Sequence, residues 1–219
     1  MPRFSAIEQP ESLAKMAYEI IRNSILSGQW KIGELYNEKA IAADLGISRT
    51  PVREALLELA SQDLIIFLPR RGLMVNRFNR RDVDEIFELR KAIELAAVEK
   101  ITNASPPLDL FEIEESLFKQ RKAAKDKDYL AFMEADRQFH TCFSMLTKNR
   151  RLIAIVENLR DMIHLMGYKA LSLEGRALKV IEEHQEIFEA VKNGKAEEAR
   201  QAMAFHLDQS KGAVEESEL

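Results

Sequence analysis

The chain has 219 residues, 46% hydrophobic and 31% charged, a balance that excludes disorder and suits one large domain or two modest ones. Its single cysteine, Cys142, excludes an internal disulfide and any cysteine-built metal cluster. No stretch approaches 18 apolar residues and no apolar segment follows Met1-Pro2-Arg3-Phe4-Ser5, so a cytoplasmic location is the expectation. The net charge of −4 conceals an asymmetry. Residues 1–77 carry 10 Lys and Arg against 9 Asp and Glu, a net of +1, and residues 78–219 carry 22 against 27, a net of −5. Between positions 49 and 81 seven arginines face three acids, a local net of +4 suited to phosphates or base edges.

In chain order, a first helix is expected over Leu13–Leu26, with apolar positions 13, 17, 20, 21 and 24 or 25 near helical spacing, and Gly28 stops it. After the turn Lys31-Ile32-Gly33, a short helix runs from about Glu38 to Leu45 and closes at Gly46. A third begins at Ser48 to Pro51, where Ser or Thr suits the N-cap and Pro the first turn. It reaches about Gln62 with Val52, Ala55, Leu56 and Leu59 as its core stripe. The pattern then changes: Leu64 to Leu68 and Leu73 to Val75 flank the turn Pro69-Arg70-Arg71-Gly72, a β-hairpin with arginines at its tip. Three helices followed by a basic hairpin make a winged helix-turn-helix.

From Asn79 onward only helical patterns appear, at roughly 80–102, 109–125, 127–147, 149–170, 175–193 and 195–214. Breaks fall at Ser105-Pro106-Pro107, Lys148-Asn149, Ser172 to Gly175 and Asn193-Gly194. The expected fold is mainly α: a winged helix-turn-helix domain over 1–77 and an antiparallel six-helix bundle over 78–219.

A helix-turn-helix places the N-terminal end of its second helix in the major groove. Ser48, Arg49, Thr50 and Arg53 occupy that end, off the core stripe, with Arg70 and Arg71 on the wing. Arginine can grip guanine bidentately, and hydroxyls can reach phosphates. The run Gly46-Ile47-Ser48-Arg49-Thr50-Pro51-Val52-Arg53-Glu54-Ala55-Leu56, then Leu59 and Pro69-Arg70-Arg71-Gly72, resembles the signature of the GntR family of transcription regulators. The resemblance implies that Arg49, Thr50 and Arg53 contact operator bases and phosphates, that Lys39 touches the backbone, and that Arg71-Gly72 enters the minor groove. The chain departs from the family at Gln62-Asp63, where an acidic residue and then Gly are usual, and at Lys39, where an acidic or arginine residue is commoner.

The helical region carries polar residues on its apolar faces. Beside the stripe Phe132, Ala135, Phe139, Phe143 and Leu146, Asp136 and His140 lie about 40° apart, one turn from each other. His184 sits amid Val180, Ile187, Phe188 and Val191, and His206 amid Ala199, Ala202, Met203 and Leu207. Buried polar groups need partners, and an Asp with three inward histidines would satisfy one another around a metal ion; the alternative is separate, locally bonded core histidines. The segments Glu134 to His140, Glu183 to Ile187 and Met203 to Leu207, with Asn149 and Leu152, resemble the FCD ligand-binding domain of FadR-type members, and the six-helix count resembles the VanR-like subgroup. That resemblance implies a divalent ion held by Asp136, His140, His184 and His206, with Zn²⁺ or Ni²⁺ favoured by affinity order.

Arg90 and Glu94 project from the apolar face of their helix, either as an internal pair or with Arg90 clamping the carboxylate of a small organic acid effector, the role the resemblance implies. His164, off the stripe of its helix, either rims the pocket or, the favoured reading, lies at the surface. The reading is a ligand-responsive transcription regulator, a repressor and not an enzyme, acting as a homodimer on double-stranded operator DNA without membrane contact. The alternative is a metal-dependent enzyme using the Asp/His₃ site, disfavoured because no inward Ser, Cys or Lys nucleophile accompanies it. A third reading, an architectural DNA protein, leaves the inward polar residues unexplained.

Overall fold

The computed structural model describes residues 11–105, 108–171 and 173–218, apart from the side chains of Lys169 and Glu218. Pro106, Pro107, Ser172 and the first residues, on which some expected breaks and the leader reading fall, lie outside the described residues. The chain divides into two compact units between Arg77 and Phe78.

In the first unit, α1 (Leu13–Leu26) begins at the cap Ser12, whose hydroxyl accepts from the Lys15 amide at 3.2 Å. Its core-facing residues are Ala17, Ile21 and Ile25; Leu13 and Ile20, expected on that stripe, are about half exposed, so the buried face is one residue in three or four and narrower than the sequence suggested. A two-residue strand β1 (Leu35–Tyr36) follows, in the stretch between the expected turn at Lys31-Ile32-Gly33 and the helix from Glu38 that the sequence left unassigned. It is too short to show a period-2 pattern, and it is fixed by pairing antiparallel with β3. Then come α2 (Glu38–Asp44), α3 (Arg49–Ser61), β2 (Ile65–Leu68) and β3 (Gly72–Val75), with sheet order β1-β3-β2 and Ile65 opposite Val75. The α3 stripe Val52, Ala55, Leu56 and Leu59 is fully buried, and Tyr18 on α1 donates to Gln62 at 2.7 Å beyond the end of α3. Asp63, at the departure from the family pattern, takes φ +57°, the left-handed conformation a glycine would adopt there without strain.

The second unit holds six described helices: α4 (Arg80–Thr102), α5 (Phe111–Asp126), α6 (Tyr129–Leu146), α7 (Arg150–Leu171), α8 (Arg176–Lys192) and α9 (Ala196–Glu218). Local signals explain their starts. Asn79 and Asp82 form a capping box on α4, Asp128 accepts from the Ala131 amide at 3.0 Å, and Asn149 accepts from the Arg151 and Leu152 amides at 3.1 and 3.3 Å. Packing of α4 and α8 along α9, and of α5 along α6, buries Val98, Ile113, Phe139, Phe143, Ile187 and Met203 in one core. No described helix is long and apolar enough to cross a membrane.

Candidate functional site

The chemistry in the helical unit concentrates where α4, α6, α8 and α9 face one another. His140, His184 and His206 are all fully buried, and one ring nitrogen from each lies within 4.8 Å of the other two. The Nε2 atom of His206 is 3.2 Å from Nε2 of His184 and 3.2 Å from Nε2 of His140. Each Nδ1 faces an acceptor instead: Glu94 Oε2 at 2.5 Å for His140, Gln120 Oε1 at 2.9 Å for His184 and Glu183 Oε2 at 2.7 Å for His206. These partners assign the ring proton to Nδ1 in all three rings, so three Nε2 lone pairs converge on one point.

Burial, with the nearby guanidiniums of Arg160 and Arg90 for His140, holds the His140 imidazole well below its usual pKa. Burial followed by the neighbouring His206 does the same for His184, and burial followed by Arg90 for His206. Three neutral rings aiming lone pairs at one another are a cation's donor set. Their 3.2 Å spacing matches the edge of a coordination shell with metal–nitrogen bonds of about 2.0–2.1 Å. Carboxylate or amide partners on the far nitrogens are the supporting layer such a site needs. The residues present therefore fit a divalent ion.

Asp136 stands beside the cluster, its Oδ1 3.7 Å from His184 Nε2 and 3.9 Å from His140 Nε2, and burial raises its pKa against the pull of Arg160 and Arg90. It thus joins two of the three histidines at close range.

Arg90 is 2% exposed and forms the internal pair, with a second contact to the histidine cluster that was not expected. Its Nε donates to Glu94 Oε1 at 2.6 Å, the internal pair, while Nη2 lies 3.0 Å from His140 Nε2 at the edge of the cluster. Glu94 also accepts from Arg160 Nη2 at 2.6 Å, so one buried carboxylate serves two guanidiniums and a histidine. Burial pushes the Glu94 carboxyl up, but Arg160 and Arg90 outweigh it and the net shift is downward. Burial pulls Arg160 down to about 9, and its Nη1 has no hydrogen-bond partner.

Beside these groups lies a cavity of about 40 Å³, lined by Arg90, Asp136, His206, Arg176 and Ser210 and by apolar residues such as Phe87 and Val180. That is room for about one water. Arg176 pairs with Glu183 at 2.5 and 3.0 Å and donates to the Ser210 hydroxyl at 3.1 Å, and that hydroxyl is 3.4 Å from His206 Nε2.

Sequence reasoning missed Arg160, Gln120, Glu183, Arg176 and Ser210. The inward serine also corrects the expectation that none accompanies the cluster. His164 is buried, 6% exposed, where a surface position was expected. Its helix is covered on several faces from Leu159 to Met166, so distance from one apolar stripe does not put it in solvent.

In the first unit, Asn37 caps α2 by accepting from the Lys39 and Ala40 amides at 2.9 and 3.3 Å, which fixes Glu38 in the first turn. Glu38 Oε1 accepts from Arg49 Nε at 3.2 Å and Nη2 at 2.9 Å, and Oε2 from Arg53 Nη1 at 3.0 Å. Ser48 is the N-cap of α3, yet its hydroxyl makes no capping bond, so the hydroxyl and the first amides of α3 suit an incoming phosphate. Lys39, Ser48, Arg49, Thr50, Arg53, Arg70 and Arg71 are all exposed. Arg70 holds φ +62° at the wing tip, and Gly72 holds φ +112° with the Tyr36 carbonyl oxygen 2.3 Å from where a Cβ would sit. Gly72 is therefore required by the close approach of β1, whatever else the wing touches.

Comparison with known proteins places these two units in families. Residues 13–75 match the family described as bacterial regulatory proteins, gntR family, and residues 85–209 match the FCD domain. The uncharacterized HTH-type transcriptional regulator YdhC of Bacillus subtilis is 29% identical over 92% of this chain and 91% of its own length. The HTH-type transcriptional repressor RspR of Escherichia coli is 27% identical over 90% of this chain and 86% of its own. A putative GntR transcriptional regulator from Rhodococcus sp. RHA1, 23% identical, shares the fold with a TM-score of 0.85 over 94% of this chain and 99% of its own.

Proposed function

Because the chain belongs to the GntR family of bacterial regulatory proteins and carries an FCD domain, we propose that it is an effector-responsive repressor whose helical domain binds a divalent metal ion and a small carboxylate. The families and relatives it matches are transcription regulators, which sets aside the metal-dependent enzyme. The E. coli relative is named a repressor, and this chain is assigned the same sign of action.

The observation that carries the metal reading is the convergence of three Nε2 lone pairs whose Nδ1 atoms are each held by an acceptor. His140, His184 and His206 are the ligands, Asp136 is the fourth, and Zn²⁺ or Ni²⁺ suits imidazole nitrogens. When bound, the ion supplies a positive, Lewis-acidic point for one oxygen of the effector. Arg90 binds the effector's carboxylate, since it lines the cavity and its anchoring at Glu94 holds the guanidinium in place. The cavity as it stands has room for about one water, so an organic acid would enter only as the surrounding helices part, and the apolar wall, Phe87 and Val180 among it, would then meet its carbon skeleton. Effector binding shifts operator affinity only if it discriminates between two arrangements of the helices that hold it, and a coupling of about 1–3 kcal/mol suffices.

At the other end, Arg49, Thr50 and Arg53 read bases and phosphates in the major groove, Ser48 and Lys39 hold the backbone, and Arg70, Arg71 and Gly72 form the minor-groove wing. Two such heads in a homodimer read a palindrome. Native mass spectrometry with elemental analysis of the full-length protein tests the reading: a dimer with about one Zn or Ni per chain is expected. Loss of that metal in His184→Ala/His206→Ala is also expected. A double variant that keeps its metal overturns the site, and a wild-type effector response in Arg90→Ala overturns the clamp.

A further inference from the structure

Exposed arginines on a recognition helix have two competing uses. They can grip phosphates anywhere on a duplex, which carries no sequence information, or they can grip the edge of guanine, which does. What decides between them is whether the guanidinium is free to wander. In this reader both guanidiniums are bonded to one acid. The Glu38 carboxylate is 13% exposed, while the Arg49 and Arg53 side chains it holds are 64% and 61% exposed. The acceptor is thus the fixed end, seated on α2, and it uses both oxygens to hold two arginines one turn apart on α3.

The pattern of contacts leaves a defined remainder. Among the described residues Arg49 Nη1 makes no hydrogen bond, and Arg53 keeps Nε and Nη2 unbonded. Donors stay available on both forks for base edges, while the carboxylate neutralises one of the two positive charges.

We propose that Glu38 is a specificity-determining positioning residue of the DNA reader: it pre-orders the Arg49 and Arg53 forks for base edges and weakens their hold on phosphates. The proposal rests on the reading that α3 enters the major groove. Preordering removes side-chain freedom before binding rather than during it, so its benefit falls on the complex that needs one geometry. Non-specific binding, which accepts any geometry, gains nothing from the order and loses attraction through the added negative charge.

The test uses full-length protein, a duplex selected by the wild type from a random pool, and a random-sequence duplex, titrated across several salt concentrations. Glu38→Gln, which keeps the shape, is expected to bind the random duplex more tightly. It should also steepen the salt dependence by about one counterion and lower discrimination about tenfold. Glu38→Asp keeps the charge and is expected to retain the wild-type salt slope. In the Arg49→Ala/Arg53→Ala background, Glu38→Gln should leave discrimination unchanged, because nothing remains to be positioned. Unchanged discrimination in folded Glu38→Gln overturns the proposal. So does equal weakening on both duplexes with a wild-type salt slope, or the same effect in the arginine-free background. A wild type that selects no duplex overturns the DNA-reading assignment itself and this proposal with it; a selective wild type with an indifferent Glu38 overturns only the latter.

Discussion

Replacing Glu94 by Gln is the sharpest available test of how the buried site is held together. The carboxylate is 2% exposed and receives Arg90 Nε and Arg160 Nη2 on one oxygen, each at 2.6 Å, and faces His140 Nδ1 with the other at 2.5 Å. Gln has nearly the same volume, so no cavity forms. It cannot, however, satisfy these partners. Whichever way the amide is turned, its NH₂ opposes a donor: the two guanidiniums in one orientation, the imidazole N–H in the other. Two buried cations would also lose their shared counter-charge, with Asp136, 3.8 Å from Arg160, as the nearest remaining acid. Removing one partner of a buried ion pair typically costs about 3–5 kcal/mol, against a total domain stability of about 5–15 kcal/mol. Urea denaturation of the full-length variant with chelator present measures that loss. Metal titration gives a second reading, since His140 without a carboxylate behind Nδ1 should bind an ion about 10–100-fold more weakly. Adding Arg160→Met to Glu94→Gln should recover part of the stability, because one of the stranded cations is gone. A loss below about 1 kcal/mol, or the absence of any recovery, refutes the view of Glu94 as the hub of the site.

Three further predictions concern separate features. Arg49→Ala and Arg53→Ala should each cost about 1–3 kcal/mol of operator affinity, and an unaltered Kd in the folded double variant would remove both from the reader. Gly72→Ala should destabilise the wing by about 2 kcal/mol or more. Its methyl would meet the Tyr36 carbonyl at a φ unfavourable to L-residues, and the fault should appear as lost amide exchange protection in β1 and β3. The three buried histidines set an acid limit. Burial lowers their folded pKa values below the unfolded 6.5, so below that pH the unfolded chain binds more protons and stability falls as pH falls. Each contributes at most about 1.4 kcal/mol per pH unit, and chelator-treated protein should lose about 3–4 kcal/mol between pH 6 and pH 5. A flat stability profile through that range would mean the rings are solvated or already charged.

Much of this was legible because helical spacing is a strong constraint. His140, His184 and His206 fall on the apolar faces of their helices by periodicity alone, and the structure brings all three together. The same arithmetic reaches residues that were passed over. Arg160 follows Val156 by four positions and precedes Ile163 by three, and Glu183 stands three after Val180 and four before Ile187. Both lie on buried faces and are themselves buried, at 2% and 8% exposure. They were missed because charged residues are assumed to face water unless a partner is in view: Glu94 lies far from Arg160 in sequence and His206 far from Glu183, and the nearer partner of Glu183, Arg176, is seven residues away, outside the i, i+3 and i, i+4 spacings. Glu38 was illegible for the same reason: its partners are 11 and 15 residues away, on another helix. Periodicity places a side chain on a face; it does not say which charges on different faces will meet.

The polar cluster also bears on how sensing can work at all. Burying three neutral imidazoles with converging lone pairs opposes folding, because the Nε2 atoms give up water for one another, with only Arg90 facing His140 and the Ser210 hydroxyl facing His206 as donors. A cation at their centre turns that opposition into attraction. On the proposed metal reading, the helical unit would be more stable with the ion than without it by an amount that grows with ion concentration over Kd. The three histidines sit on α6, α8 and α9, and residues of these helices together with α4 and α7 line the cavity. A carboxylate arriving at Arg90 would meet a site in which Glu94 and Asp136 already face the two guanidiniums, so its own charge would be best accommodated once an ion had added positive charge. Ion and effector should accordingly bind with positive cooperativity, each raising the affinity of the other by the same factor. Calorimetric titration with acetate as a weakly metal-binding probe, into protein carrying one equivalent of Zn²⁺ and into chelator-stripped, dialysed protein, measures that factor. An acetate affinity indifferent to Zn²⁺ would separate the arginine clamp from the histidine cluster.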